Sequence, residues 1–312
     1  MIFPPEGDEG PDRPGDGVAD HDCTAVEIHP YRADSVRSCF DQGIARGLMG
    51  NYSEAISDFD RAIALDPDHA GACRYRGIAK MVLEDYSGAI EDLDRAIALD
   101  PGQAGSWLDR GVARCERGDY PGAIRDLDQA IVLEPGHAGA WHCRGIARNR
   151  LGDCSGAIRD FDQSIRLDPG DGQSYCLRGL IKGRMGRHAE AISDFDRAIA
   201  LDPDHPETWV GRGMARCERG DWSEAIRDFD RAIALDPGQA EVWSDRGRAR
   251  CEEGDYAEAI SDFNRAIVLE PGNARTWFYR GMAKNFQGRH ADAVRDIDYA
   301  FKLDREFEDC GD

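Results

Sequence analysis

The sequence predicts an all-α solenoid, and three observations carry that prediction. From Ser35 the chain falls into eight consecutive segments of 34 residues with no insertion, Ser35–Asp68 through Asn273–Glu306. The segment Asp58–Asp68 recurs letter for letter at Asp194–Asp204. Within each segment the apolar residues follow helical spacing twice, with a break between the two stretches. A pair of helices this short cannot bury its own apolar face, so it must stack on its neighbours. A length of 312 residues would ordinarily suggest about two domains; the period replaces that expectation with one continuous array over residues 35–306.

The third segment, Gln103–Gly136, illustrates the elements in order. Trp107, Arg110, Gly111 and Arg114 share one face of a first helix. Gly118-Asp119 breaks it. Ala123, Leu127, Ala130, Ile131 and Leu133 then space a second helix. Glu134-Pro135-Gly136 ends that helix, because proline cannot continue it and glycine tolerates the turn. Each helix should hold about 14 residues, roughly 21 Å at 1.5 Å per residue. The other boundaries follow the same period: His69–Gly102, His137–Gly170, Asp171–Asp204, His205–Gly238 and Gln239–Gly272.

The columns of these segments resemble the tetratricopeptide repeat, whose signature is Trp-x-x-Leu-Gly-x-x-Tyr, then Ala-x-x-x-Phe, then Pro. Trp107, Trp141, Trp209, Trp243 and Trp277 fill the Trp position, with Tyr175, Cys39 and Cys73 in the others. Gly43, Gly77, Gly111, Gly145, Gly179, Gly213, Gly247 and Gly281 fill the Gly position without exception. Alanine recurs from Ala55 to Ala293, and Phe59, Phe161, Phe195, Phe229 and Phe263 match the Phe column. Proline closes seven repeats from Pro67 to Pro271, and Arg305 replaces it in the last. The resemblance covers residues 35–306 and implies a right-handed superhelix of eight helix-turn-helix units. It also implies an adaptor whose first helices line a concave groove for a peptide or helix of another protein.

The departures from that signature are charged. Arginine stands at 76, 110, 144, 178, 212, 246 and 280 where the family often has leucine, with Gln42 in the first repeat. Arginine or lysine replaces the tyrosine, from Arg46 to Lys284. Each second helix carries an aspartate beside the Phe column, Asp58 through Asp296. Eight equal copies suit a scaffold better than a ligand site, so these columns are expected to form an internal ladder of Arg–Asp pairs. A basic stripe for an anionic ligand is the other reading.

Composition narrows the function. The net charge of -21, from 60 acids and 39 bases, argues against nucleic acid and anionic membranes as partners. No apolar run reaches the ~20 residues of a membrane span, and the start of the chain has no secretory pattern, so a cytoplasmic protein is expected. Cys115, Cys217 and Cys251 are copies of one position, and no Cys-x-x-Cys or His spacing completes a zinc site. Reduced cysteines are expected, with no metal or cofactor. Asp58-Phe59-Asp60 looks like a metal-binding Asp-x-Asp, but residues two apart on a helix face away from each other. His142, Cys143 and Cys154 offer no nucleophile–base geometry on helices. Catalysis by this chain is not expected.

Columns that face the groove by family geometry and vary between repeats are where a partner would be read. One runs Ile44, Ile78, Val112, Ile146, Leu180, Met214, Arg248 and Met282; another runs Phe40, Arg74, Leu108, His142, Cys176, Val210, Ser244 and Phe278. They read either as an apolar groove floor or as support for neighbouring helices. Arg74 lacks the asparagine one turn on that family members binding chaperone tails carry, since Ile78 stands there. His142, Asn149, Arg150, Gln173 and Arg184 give the fourth and fifth repeats a basic and polar cast; Glu207, Glu218, Glu241 and Glu252 make the sixth and seventh acidic. Directional docking and scattered surface charge both fit that pattern.

The ends differ in kind. Residues 1–34 are acidic and rich in proline and glycine and are expected to be largely disordered. The stretch Ala25–Tyr31 reads either as a cover for the first repeat or as tail. At the other end, residues 307–312 form a short acidic tail; Ala300, Phe301 and Leu303 stand in columns that elsewhere receive the next repeat, and Phe307 follows directly. A weak homodimer through that face is expected, or a fold-back of Phe307. The functional expectation is a non-catalytic protein–protein adaptor for an unidentified protein or peptide, the alternatives being a regulatory subunit of a separate enzyme and a self-assembling structural element.

Overall fold

The computed structural model describes residues 30–309, and among them every regular element is an α-helix. The helices come in pairs at the 34-residue period: α1 (Pro30–Leu48) with α2 (Tyr52–Leu65), α3 (Ala70–Val82) with α4 (Tyr86–Leu99), α5 (Ala104–Glu116) with α6 (Tyr120–Leu133), and α7 (Ala138–Arg150), followed by α8 (Cys154–Leu167). Then come α9 (Gly172–Arg184) with α10 (His188–Leu201), α11 (Pro206–Cys217) with α12 (Trp222–Leu235), α13 (Ala240–Glu253) with α14 (Tyr256–Leu269), and α15 (Ala274–Phe286) with α16 (His290–Asp309). The chain divides between Asp153 and Cys154 into two compact halves, α1–α7 and α8–α16. Within each half, helices pack on their neighbours in sequence, and first helices of repeats also touch the next first helix. The solenoid of helix pairs is therefore as the period predicts.

The outermost helices are longer than the period requires. Helix α1 starts at Pro30, ahead of the repeat boundary at Ser35, and proline suits a first helical turn because its missing N–H would be unbonded there. Helix α16 continues through Arg305, where the other repeats have proline, to Asp309. The acidic stretch before residue 30, including most of Ala25–Tyr31, lies outside the described residues.

Turn chemistry accounts for the regular breaks. Aspartates cap the second helices: Asp85 accepts from the Gly88 amide and Asp119 from the Gly122 amide, both at 3.0 Å. Between the helices of a repeat a left-handed residue is needed. Glycine supplies it at 50, 118, 152, 186, 220, 254 and 288, with φ between 74° and 87°. In the second repeat Glu84 takes that place at φ 62°.

The helices of a repeat meet through small residues against a ring. Phe59, Phe161, Phe195, Phe229 and Phe263 are at most 1% exposed, and the alanine column is as deeply buried. A Cβ on Gly213 would lie 2.8 Å from the Phe229 ring, and one on Gly247 2.8 Å from Phe263. Glycine is the residue that lets the two helices approach this closely.

The charged columns form the ladder. On α5, Arg110 donates from Nε and Nη2 to both carboxylate oxygens of Asp126 on α6, at 2.9 and 2.6 Å. Its Nη1 donates to Asp94 on α4, at 2.5 Å. Its guanidinium carbon lies 4.8 Å from the Trp107 ring, while Trp107 donates to the Pro101 carbonyl at 3.0 Å. Arg114 completes the rung on Asp126 at 2.7 Å. The same arrangement recurs at Arg212, with Asp228, Asp196, Trp209 and Arg216, and at Arg246, with Asp262, Asp230, Trp243 and Arg250. Arg76 and Arg178 follow suit, with a lysine as the second cation, and Arg280 reaches Asn264 in place of an aspartate. One arginine thus ties three consecutive helices. No disulfide joins cysteines among the described residues. Burial pushes Cys217 up to about 12 and Cys115 and Cys251 to about 11, so they are inert thiols at neutral pH.

Two outcomes follow. Arg212→Lys keeps the charge but loses the two-pronged contact and the stacking, and should destabilise by about 2 kcal/mol, read as an earlier urea midpoint. Glu84→Gly relieves the left-handed backbone and should stabilise by about 1 kcal/mol, seen as a higher Tm.

Candidate interaction surface on the first helices

The variable columns sit on the first helices, and their burial separates support from surface. In the N-terminal half much of the column is core. Ile78 is 3% exposed and packs with Phe59 and Ala55. Phe40 is half-buried among the rings of Phe59, His69 and Tyr75, with centroids 4.8–5.9 Å away. Leu108 packs against the clusters around Leu127 and Ala130. Val112, His142, Ile146 and Asn149 are half-buried, and Arg150 is exposed. Arg74 is already bound: its Nε donates to Asp109 at 2.6 Å and its guanidinium lies 5.5 Å from the Tyr75 ring. Burial raises the Asp109 carboxyl above the usual range although Arg74 opposes the shift.

The C-terminal half brings predicted residues together. Three adjoining clefts share Met214, which is 52% exposed. The first, of about 420 Å³, lies between α9, α10 and α11 and is lined by Leu180, Arg184, Met214 and Glu218, with Phe195 and Gly211 behind them. The second is narrow, about 70 Å³, and runs from Glu218 past Trp222 to Asp245, Arg248 and Glu252. The third, of about 240 Å³, is bounded by Val210, Glu241, Asp245, Arg248 and Arg275. Leu180, Arg184, Val210, Met214, Glu218, Arg248 and Glu252 therefore line one connected surface. Gln173 is exposed on α9 outside these clefts, and Phe278 and Met282 lie on α15 beyond them, Phe278 37% exposed beside Tyr279.

Sequence reasoning missed Asp245, Arg275 and Tyr279, which set the electrostatics of the third cleft. Arg248 donates to Asp245 at 3.2 Å and lies 5.0 Å from the Tyr279 ring; Arg275 lies 5.5 Å from the same ring. Arg275 Nε also bonds the Tyr279 hydroxyl at 3.3 Å, which raises its pKa further. Burial lifts the Asp245 carboxyl, against the pull of Arg248. The available signal was column variation: the position of Asp245 holds Gly211, Leu177 and Tyr279 in other repeats. At the C-terminal end, Phe301 is 52% exposed and Leu303 half-buried, whereas isoleucines 63, 97, 131, 233 and 267 of the same column as Phe301 are at most 8% exposed. The Phe307 side chain lies outside the described residues, but its backbone continues the helix instead of turning back. Among the described residues no group of three or more His, Cys, Asp or Glu is arranged to hold a metal, and no helix is long and apolar enough to cross a membrane.

Models of the tetratricopeptide repeat match residues 40–104, 108–172, 184–242 and 240–273. No curated protein matches the chain significantly. Among solved structures the chain is similar to PilF of Pseudomonas aeruginosa (17% identity, 71% of this chain and 99% of that one, TM-score 0.63). It is also similar to a tetratricopeptide repeat protein of Parabacteroides merdae (16%, 84% and 99%, TM-score 0.58). A third is YrrB, described as a repeat protein with an unusual peptide-binding site (19%, 60% and 96%, TM-score 0.54). At these identities the likeness shows the fold.

The Asp245–Arg248 pair gives a pH signature. Arg248→Met, the residue found at Met214 and Met282, leaves Asp245 buried without its cation and raises its pKa further. A carboxyl raised above its unfolded value stabilises below that value, about 4, and the contribution is lost as pH rises through the folded value. The variant's deficit in chemical denaturation should therefore be near zero around pH 4 and grow towards pH 7.

Proposed function

Because the chain belongs to the tetratricopeptide-repeat family, we propose that it is a non-catalytic adaptor that holds an extended segment of a partner protein on its first helices. The observation that carries the reading is the run of three clefts joined at Met214, built from positions that differ between repeats while the surrounding columns stay constant. Repetition explains the constant columns as scaffold. It does not explain an exposed methionine beside Leu180 and Val210, with Arg184 and Glu218 in the cleft on one side of it and Glu241, Arg248 and Arg275 in the cleft on the other. An apolar floor with a polar rim is how protein interfaces are generally organised. Charges of both signs along that rim would fix the register of the bound segment.

Selection of a displayed random-peptide library on the intact chain tests this. Met214→Asp should weaken the selected peptides at least about tenfold, and Glu252→Lys should weaken those carrying a basic residue, with helicity unchanged for both. Selected peptides that bind the Met214→Asp protein as well as the parent would place the interaction elsewhere.

A second reading, weak self-association through α16, rests on the exposed Phe301 where the other repeats bury isoleucine. Burying a side chain of this size contributes about 1.5–3 kcal/mol, and the acids following it oppose tight pairing. Sedimentation equilibrium should show a monomer–dimer mixture that salt favours and Phe301→Glu abolishes.

A further inference from the structure

The cleft between α9, α10 and α11 is lined by glycines at two positions that carry larger side chains in several other repeats. The first is at 183. Met81, Cys115, Cys217 and Cys251 hold that position in other repeats and pack into their clusters. Gly183 leaves it open: the nearest neighbour of a Cβ placed there would be Ala191 Cβ, at 3.9 Å. The second is at 211, sixteen residues after Phe195. Sixteen residues after Phe59 stands Tyr75, and after Phe263 stands Tyr279. Both tyrosine rings stack on those phenylalanines, at 6.2 Å and 23° and at 6.3 Å and 21°. At Phe195 the corresponding residue is Gly211, and the Phe195 ring closes up against it, 2.7 Å from where a Cβ would stand; the chain adds no ring of its own to the cleft of about 420 Å³ beside Gly183.

We propose that this cleft is a receptor for one aromatic side chain of the partner, tyrosine or tryptophan, lodged between Leu180 and Met214 over the open face of Gly183. The inference rests on reading the first helices as the interaction surface and names the anchor they take. Leu180 and Met214 supply apolar walls, 39% and 52% exposed before binding. Glu218 at the mouth accepts a hydrogen bond from a phenol hydroxyl or indole N–H. His188, also in the wall, holds a buried Nδ1 with no hydrogen-bond partner among the described residues. Rings with a polar edge suit such a site because one end is apolar and the other finds a partner.

The test titrates N-acetyl-tryptophanamide and N-acetyl-tyrosinamide, with N-acetyl-leucinamide as the control, into the full chain while amide NMR shifts are followed. Saturable shifts at Gly183 and Gly211 are expected, with Kd on the order of 1 mM for ligands this small and about fivefold weaker binding of the leucine amide. Gly183→Met has open room at its Cβ and leaves the fold intact by circular dichroism; it should cost the aromatic amides about tenfold or more. Shifts that do not saturate, no preference for aromatic amides, or equal binding to Gly183→Met would each overturn the proposal. Displayed peptides that bind without any aromatic preference would overturn it too, while leaving the adaptor reading standing. Aromatic amides that bind a chain selecting no peptides would uphold the receptor and remove the adaptor reading.

Discussion

The arginine three residues after each tryptophan is the contact on which the rest of this solenoid depends. A 34-residue helix pair has too little apolar surface to fix its own position, so something must set the register between pairs. Here that is a planar guanidinium reaching a carboxylate of its own repeat with two prongs and a carboxylate of the previous repeat with the third, as Arg110 and Arg212 do. With the second cation, a full rung holds two positive and two negative charges, so little net charge is left buried. Such pairs add modestly to stability compared with apolar packing. Their geometry is directional, and it places each helix at one height against two others. A leucine at that position would pack without specifying height.

The ladder also bears on the ends. Gln42 stands in the arginine column of the first repeat and donates to the Ser38 hydroxyl. Asn264 replaces an aspartate beneath Arg280, leaving the last seam with one carboxylate fewer. Among the described residues no first helix packs on the far side of α16, and Phe301 and Val294 are 52% and 56% exposed there.

Because the scaffold columns are uniform, departures from uniformity become informative. In the N-terminal half the variable positions are largely used up inside the molecule: Arg74 is bound by Asp109, and Ile78 and Phe40 lie among aromatic rings. In the C-terminal half, glycines at 183 and 211 withhold side chains, and Met214, Arg248 and Arg275 occupy what is left. The variation that carries the proposed surface is thereby concentrated on α9, α11 and α13 without altering the repeat that carries it.

The sequence by itself determined the helix pairs, their 34-residue spacing, the turn glycines, the buried Phe column and the Arg–Asp ladder, because each is a local or periodic property repeated along the chain. Packing decided which groove candidates are surface. Ile78 and Met214 are equivalent in sequence, yet one is 3% exposed and the other 52%, because burial depends on the neighbours from the preceding repeat: Phe40, Ala55 and Phe59 crowd the first, while Gly183 leaves open space beside the second. Asp245 and Arg275 were likewise invisible as a site until the fold set them in one cleft from adjacent first helices. A periodic sequence states what every repeat shares; the clefts come from what neighbouring repeats lack, and only their packing together shows where that absence leaves room.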